Sequence, residues 1–198
     1  MMSASPASIE NTRLSGHAVT PDPPRDVFLD TNVLLDHLMR RNRSEQATAM
    51  LRACVRHDVV LRCAATSLKD IAYVAEATLR REFATIRHTG EDSSPSKEGA
   101  EESPLEDGTI RMLIRRIPWH CVEQARALCD VAAVGRETCD AALALRARHD
   151  DFEDDLIIAA AQHAGSRHVV TSDRQLIEHF PEICITPTAL MGLLDGSR

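Results

Sequence analysis

Aromatic residues and long apolar runs are scarce in this chain, and its net charge is negative. Its 198 residues include one Trp, one Tyr and four Phe, which argues against an RNA-binding platform of surface aromatic rings. The longest purely apolar run covers residues 156–161 and is far too short to span a membrane. A net charge of −7 argues against binding of nucleic acid by bulk positive charge, but allows a local basic strip beside an acidic pocket.

Cysteines with the spacing of a metal or redox motif are also lacking. The six cysteines stand at positions 54, 63, 121, 129, 139 and 184, and no two form a C-x-x-C. We interpret them as reduced thiols rather than as a disulfide framework. The N-terminal residues do not resemble a secretory signal, so we expect a cytoplasmic protein that does not bind membranes.

Two segments lack the composition of a folded core. Residues 1–25 are rich in Ser, Pro and Thr and have no apolar periodicity, which predicts a disordered N-terminal tail. Residues 88–108 are polar, acidic and nearly free of large apolar side chains, which predicts a flexible insertion between two helices. One folded domain is therefore expected over residues 26–194.

Short apolar runs alternate with helical patterns along this domain. The expected strands cover 27–29, 59–61, 131–134, 169–171 and 183–185, and amphipathic or apolar helical segments separate them. This alternation is typical of an α/β protein with a central parallel sheet between two helical layers. Sites in such proteins form at the carboxyl ends of the strands.

Acidic residues stand at several of the positions where such a site would form. Asp30 ends the first strand, Asp173 ends the strand at 169–171, and Asp70 lies in the first turn of a helix. A fourth group, Asp151, Asp154 and Asp155, occupies one helical face because its spacing is i, i+3 and i+4. The sequence therefore predicts a cluster of carboxylates at one edge of the sheet.

Clustered carboxylates repel one another, and a bound divalent cation removes that repulsion. Because all of these ligands are oxygens, they suit Mg²⁺ or Mn²⁺ better than zinc. Two such ions can hold a phosphodiester and activate water.

Four acidic motifs in this order resemble those of PIN-domain ribonucleases, of the kind found as VapC-type toxins of bacterial toxin–antitoxin pairs. The matching segments are FLDTNVLLD, TSLKDIAYV, DFEDDLIIAAAQHAG and VVTSDRQL, followed by ITPTALMGLL near the end of the chain. The DFED form and the Thr-Pro before the last helix resemble one subgroup of PIN proteins. Asp70 departs from the pattern, since the family more often has Glu there.

The resemblance implies a Mg²⁺- or Mn²⁺-dependent endoribonuclease with RNA as substrate, an antitoxin protein as a partner, and a homodimer. Carried over by position, the catalytic acids are Asp30, Asp70, Asp154 and Asp173, of which Asp30, Asp154 and Asp173 are the expected metal ligands. The supporting residues implied by the same alignment are Asp151, Thr31, Asn32 and Thr171. Asp155 competes with Asp154 for the ligand position, and the alignment favours Asp154.

Arginine clusters are the candidates for contact with an anionic substrate. Arg40, Arg41 and Arg43 follow the first helix near the expected acidic edge, and we assign them to RNA binding. A solvent-exposed charged face is the alternative interpretation of these arginines. Asp36, one helical turn beyond Asn32, is either a residue of the site or a solvated residue of the helix.

A second class of function is compatible with the same fold. The chain could be a catalytically weak PIN-fold module that binds RNA or protein and regulates it. The retention of an acid at all four motif positions favours the enzyme. Trp119 and Tyr73 are expected to be core or interface residues rather than stacking platforms.

Overall fold

The structure is a computed structural model that describes residues 23–91 and 104–196, with side chains described for 23–86 and 108–196. Its strands are β1 (Asp26–Leu29), β2 (Val60–Ala64), β3 (Asp130–Ala132), β4 (Val169–Val170) and β5 (Cys184–Ile185). Its helices are α1 (Thr31–Leu38), α2 (Ser44–Arg56), α3 (Ala65–Glu91), α4 (Pro104–Leu128), α5 (Arg136–Leu145), α6 (Phe152–His163), α7 (Arg174–His179) and α8 (Pro187–Asp195).

The five strands form one sheet in the order β3-β2-β1-β4-β5, and every pairing is parallel. Side chains alternate across the central strand, since Val27 and Leu29 pack with α1, α2, α3, α4 and α8 while Phe28 packs with α6 and α7. The predicted three-layer α/β/α fold is confirmed. Each layer of helices covers one apolar face of the sheet, as a parallel sheet requires.

The helix α6 lies against the sheet with most of its surface covered. Residues 155–161 are all buried, which explains why an apolar run follows the acidic start of this helix. Its end is set by Gly165, whose φ of 71° is readily adopted by glycine. The N–H of Ser166 donates to Ala161 O and that of Gly165 to Gln162 O, the bonding pattern of a Schellman motif.

The helices α3 and α4 are longer than their apolar patterns predict. They pack against each other, and they extend into the predicted insertion at both ends, so that residues 88–91 and 104–108 are helical. Pairing along this hairpin favours helix beyond the point where the sequence pattern alone fades. The rest of that insertion, and most of the predicted N-terminal tail, lie outside the described residues and stay predictions.

No helix in residues 23–91 or 104–196 is both long and apolar enough to cross a membrane.

Candidate active site

The carboxyl ends of β1 and β4 place two of the predicted acids side by side. Leu29 pairs with Val170 in the sheet, and the N–H of Asp30 donates to Val170 O at 3.0 Å. Asp30 therefore leaves the sheet beside the segment that leads to Asp173. It is 1% exposed, so its carboxylate must be compensated by neighbouring groups.

Thr171 joins the two acids through its hydroxyl. Its Oγ1 donates to Asp30 Oδ2 at 2.7 Å, and the same oxygen accepts a hydrogen bond from the N–H of Asp173 at 2.9 Å. The predicted support of Asp173 by Thr171 thus has a structural counterpart. The bond to Asp30 was not foreseen, because it joins residues 141 positions apart.

Three helices begin at this edge, and each has an aspartate as its N-cap. Asp30 caps α1, Asp151 caps α6 and Asp173 caps α7. In Asp151 and Asp173 the Oδ1 atom accepts from two backbone N–H groups, while Oδ2 accepts no hydrogen bond from the described residues. The positive ends of the helix dipoles stabilise these negative charges, and the free oxygens remain available to a ligand.

Asp154 lies in an environment that opposes the ionisation of its carboxyl. Burial, the largest cause, and the neighbouring charges of Asp30, Asp151 and Asp173 together raise the pKa of its carboxyl to about 7, while His149 acts in the opposite direction. Its carboxylate accepts no hydrogen bond within the described chain. Burial also raises the pKa of Asp30, and the hydrogen bond from Thr171 partly offsets that effect.

Asp155, the competing candidate, points to a different environment. It is 2% exposed, and its Oδ1 lies 3.1 Å from Nδ1 of the buried His149. His149 in turn packs on His179 and Phe180. Adjacent aspartates are rotated by about 100° around a helix, which separates the two side chains. The geometry therefore favours Asp154 as the residue that joins the acidic set.

Asp70 lies beside this set but is compensated differently. It is in the second turn of α3, not the first, because the helix begins at Ala65. Lys69 Nζ lies 2.7 Å from Asp70 Oδ1, and this carboxylate raises the pKa of Lys69, with a smaller contribution from Glu153 of α6. The Glu153 interaction places the start of α3 near the start of α6.

The two supporting residues that follow Asp30 use different groups, Asn32 its backbone N–H and Thr31 its hydroxyl. The N–H of Asn32 donates to Asp30 Oδ1 at 3.3 Å, and its side chain is exposed. Thr31 uses its hydroxyl to donate to Ser67 Oγ at 2.9 Å. Ser67 is fully buried, so this bond ties α1 to α3 and joins the two sides of the acidic edge.

Of the three arginines predicted to bind RNA, Arg43 lies directly at the acidic edge. Its guanidinium donates to Ser172 O at 2.9 Å, next to Asp173. Arg41 and Arg43 both lower the pKa of the buried Asp36, although burial raises it more. Arg40 has a φ of 50°, a strained value for a side chain other than glycine. The arginines therefore flank the acids, and the charges of Arg41 and Arg43 act on Asp36 of α1.

The donor chemistry of this edge fits a hard divalent cation. Asp30, Asp154 and Asp173 offer carboxylate oxygens whose charges interact, and oxygen donors are what Mg²⁺ and Mn²⁺ prefer. Within residues 23–91 and 104–196, however, no three His, Cys, Asp or Glu side chains stand close enough together to enclose an ion.

The fold and this edge define a class of protein: a parallel α/β/α domain with carboxylates gathered at its central strand ends. The chain belongs to the PIN domain family, whose model matches residues 26–175. PIN domains are commonly metal-dependent nucleases. No curated protein matched the sequence. The predicted family is confirmed, and the narrower VapC-type and DFED subgroup assignments stay predictions.

Proposed function

We propose that this protein is a metal-dependent endoribonuclease that hydrolyses RNA phosphodiester bonds at the edge formed by β1, β4 and α6. The observation that carries the proposal is the uncompensated charge of Asp154. It lies among Asp30, Asp151 and Asp173, its pKa is raised to about 7, and no described residue donates a hydrogen bond to it. A divalent cation would relieve this repulsion.

Asp30, Asp154 and Asp173 would hold the cation, which is Mg²⁺ or Mn²⁺. The bound ion would supply charge neutralisation for the phosphodiester and activation of water. Thr171 is a positioning residue, because its hydroxyl fixes the orientation of Asp30 and the backbone of Asp173. Asp151 holds the start of α6 and so fixes the position of Asp154.

Arg43 and its neighbours would bring an anionic substrate to an anionic pocket. The guanidinium of Arg43 is fixed on Ser172 O, and Arg40 and Arg41 precede it on the same connection. Arginine suits phosphate because its planar fork donates two parallel hydrogen bonds. A backbone phosphate held at this point would place the adjoining bond near Asp173.

We further propose that the biological role is that of the toxin of a toxin–antitoxin pair, acting as a homodimer in the cytoplasm and inhibited by an antitoxin protein. This part of the proposal depends on the similarity of the four acidic motifs to VapC-type proteins. Co-purification of a co-expressed neighbouring gene product, with loss of cleavage in the complex, would support it.

The direct test is cleavage of a labelled structured RNA with Mn²⁺ or Mg²⁺ by the wild type, Asp30→Asn and Asp154→Asn. Both substitutions keep the side-chain size and remove one charge. Asp140→Asn is the matched control, since Asp140 is an exposed aspartate of α5. We expect both site variants to lose at least about 100-fold in rate, because several kcal/mol of charge stabilisation depends on the ion.

The nuclease proposal is contradicted if the folded wild-type protein cleaves none of several RNAs with either Mn²⁺ or Mg²⁺. RNA or protein binding without cleavage would then favour the alternative, a regulatory PIN-fold module. Cleavage that persists in both site variants would place the activity elsewhere or in a contaminant.

A further inference from the structure

The helical hairpin of α3 and α4 has an exposed groove that begins next to the acidic edge. The groove is about 440 Å³ in volume. We call it the α3–α4 groove and define it by the lining residues Lys69, Tyr73, Ile114, Arg115, Pro118 and Trp119.

Two aromatic side chains of this groove are exposed to an unusual degree. Tyr73 is 74% exposed and Trp119 is 71% exposed, so neither is a core residue, and of the predicted core or interface positions only the interface stays open. They are the only Tyr and the only Trp in the chain. Aromatic faces of this kind bind nucleic-acid bases by stacking, irrespective of base sequence.

The charges around these rings are predominantly positive. Neither Arg115 nor Arg116 makes an ion pair in the described part of the chain. Glu76, which also lines the groove, is neutralised by Arg80, whose guanidinium lies 2.6 Å from its carboxylate. Trp119 borders a second hollow of about 520 Å³ together with Arg115 and Arg116. In a chain with a net charge of −7, such a local excess of unpaired arginine favours an anionic partner.

Lys69 links this groove to the candidate active site. Its side chain lines the groove beside Tyr73, and its ammonium group contacts Asp70 and interacts with Glu153 at the start of α6. The groove therefore has Lys69 in common with the α3 side of the acidic edge.

We propose that the α3–α4 groove binds the single-stranded part of the RNA substrate, with bases stacked on Tyr73 and Trp119 and phosphates paired with Arg115 and Arg116. This inference rests on the proposed nuclease function and names the form of its substrate. A second copy of the chain fits the groove less well. The two exposed rings with unpaired arginines beside them match the bases and phosphates of a single strand, and the oligomeric mass of the variants tests the alternative.

Because Trp119 is the only tryptophan, its fluorescence reports directly on the groove. The experiment titrates full-length Asp30→Asn, which is expected to bind without cleaving, with an unlabelled oligoadenylate RNA of about 12 nucleotides. We expect saturable quenching that a duplex of the same length does not produce. Fluorescence anisotropy of labelled RNA gives the Kd independently.

Substitutions in the same background separate stacking from charge. Trp119→Ala is expected to raise Kd roughly 10-fold, and Trp119→Phe to restore most of the affinity. Arg115→Gln is expected to lower the slope of log Kd against log salt by about one. Val55→Ala is the control, since Val55 is an exposed apolar residue of α2 outside the groove. Because all of these side chains are exposed, the variants should fold, and circular dichroism checks this.

The inference and the proposed function fail in different ways. The groove proposal is overturned if RNA binds without a change in tryptophan fluorescence and Trp119→Ala has the same Kd as its Asp30→Asn parent. That result leaves the nuclease proposal intact. A change in oligomeric mass caused by Trp119→Ala, with RNA affinity unchanged, shows a protein interface and also overturns the inference. Absence of both RNA binding and cleavage contradicts the proposed function itself.

Discussion

The acidic edge has two sides whose carboxylates are stabilised in different ways. On the sheet side, Asp30 and Asp173 share Thr171 and cap helices, and Asp154 receives no hydrogen bond from the described residues. On the α3 side, Asp70 forms an ion pair with Lys69 at 2.7 Å. The sheet side therefore holds excess negative charge, whereas the α3 side is locally neutral.

This difference indicates which acids the proposed cation would stabilise most. A carboxylate that already has an ammonium partner gains less from a metal ion than one surrounded by other carboxylates. Asp70 is also one methylene shorter than the Glu that is usual at its position in similar proteins. In the proposed function, the ion would therefore be bound from the sheet side, and Asp70 would contribute from a greater distance.

The largest expected effect is on the cleavage rate, in a comparison of Asp30→Asn with Asp70→Asn. We expect the first to lower the single-turnover cleavage rate at least about 100-fold and the second only about 10-fold, because Lys69 already compensates Asp70. Single-turnover kinetics at saturating Mn²⁺ measures both. Equal losses in the two variants would show that the two sides act as one site.

The affinity for Mn²⁺ should depend on pH through Asp154. Its pKa is raised to about 7, so it is protonated below that pH and must release a proton to bind the ion. We expect affinity to fall about tenfold per unit as pH decreases below 7 and to level off above it. Calorimetric titration at several pH values measures this. Asp154→Asn should bind more weakly and show a shallower dependence, since the raised pKa of Asp30 still contributes, and a flat profile in the wild type contradicts the assignment.

Thr171→Val should lower the cleavage rate about 10-fold, since a hydrogen bond to a charged group contributes roughly 1.5–3 kcal/mol. The Thr171 hydroxyl lowers the pKa of Asp30, so its removal should also move the acidic limb of the pH–rate profile to higher pH. Thr171→Ser should restore both properties. A lower rate with an unmoved profile would indicate a merely structural role.

The smallest expected effect is on stability without metal. The pKa of Asp154 is raised from 3.8 to about 7 on folding, so its contribution to stability is present below about pH 4 and is lost as pH rises to about 7. Asp154→Asn, which never ionises, should therefore raise Tm by a few degrees at about pH 8 and change it little at about pH 4.

Asp155→Asn tests whether that effect is specific to the acidic set. This substitution removes the neighbouring charge but weakens the buried contact with His149, so it should lower Tm at about pH 8. A gain in Tm for both variants would mean that the two aspartates share one environment.

Much of the fold follows from local patterns. The apolar runs at β1, β2, β4 and β5 and the periodicity of the helices specify an α/β chain, and a parallel sheet makes the strand ends converge. The positions of Asp30, Asp154 and Asp173 at that edge could be predicted in this way. The extents of α3 and α4 could not, because contacts along the hairpin lengthen both helices beyond their sequence patterns.

The sequence by itself determined the order of the acidic motifs, the class of fold and the edge at which the acids meet, since each depends on residues close together in the chain. Only the tertiary structure decided how the acids are partnered. Thr171 donates a hydrogen bond to Asp30, which is 141 positions away in the sequence. Asp155 contacts the buried His149 instead of joining the acidic set. Trp119 of α4 is exposed beside Tyr73 of α3. Hydrogen bonds, burial and charge interactions of this kind join residues distant in the chain, and a local pattern does not contain them.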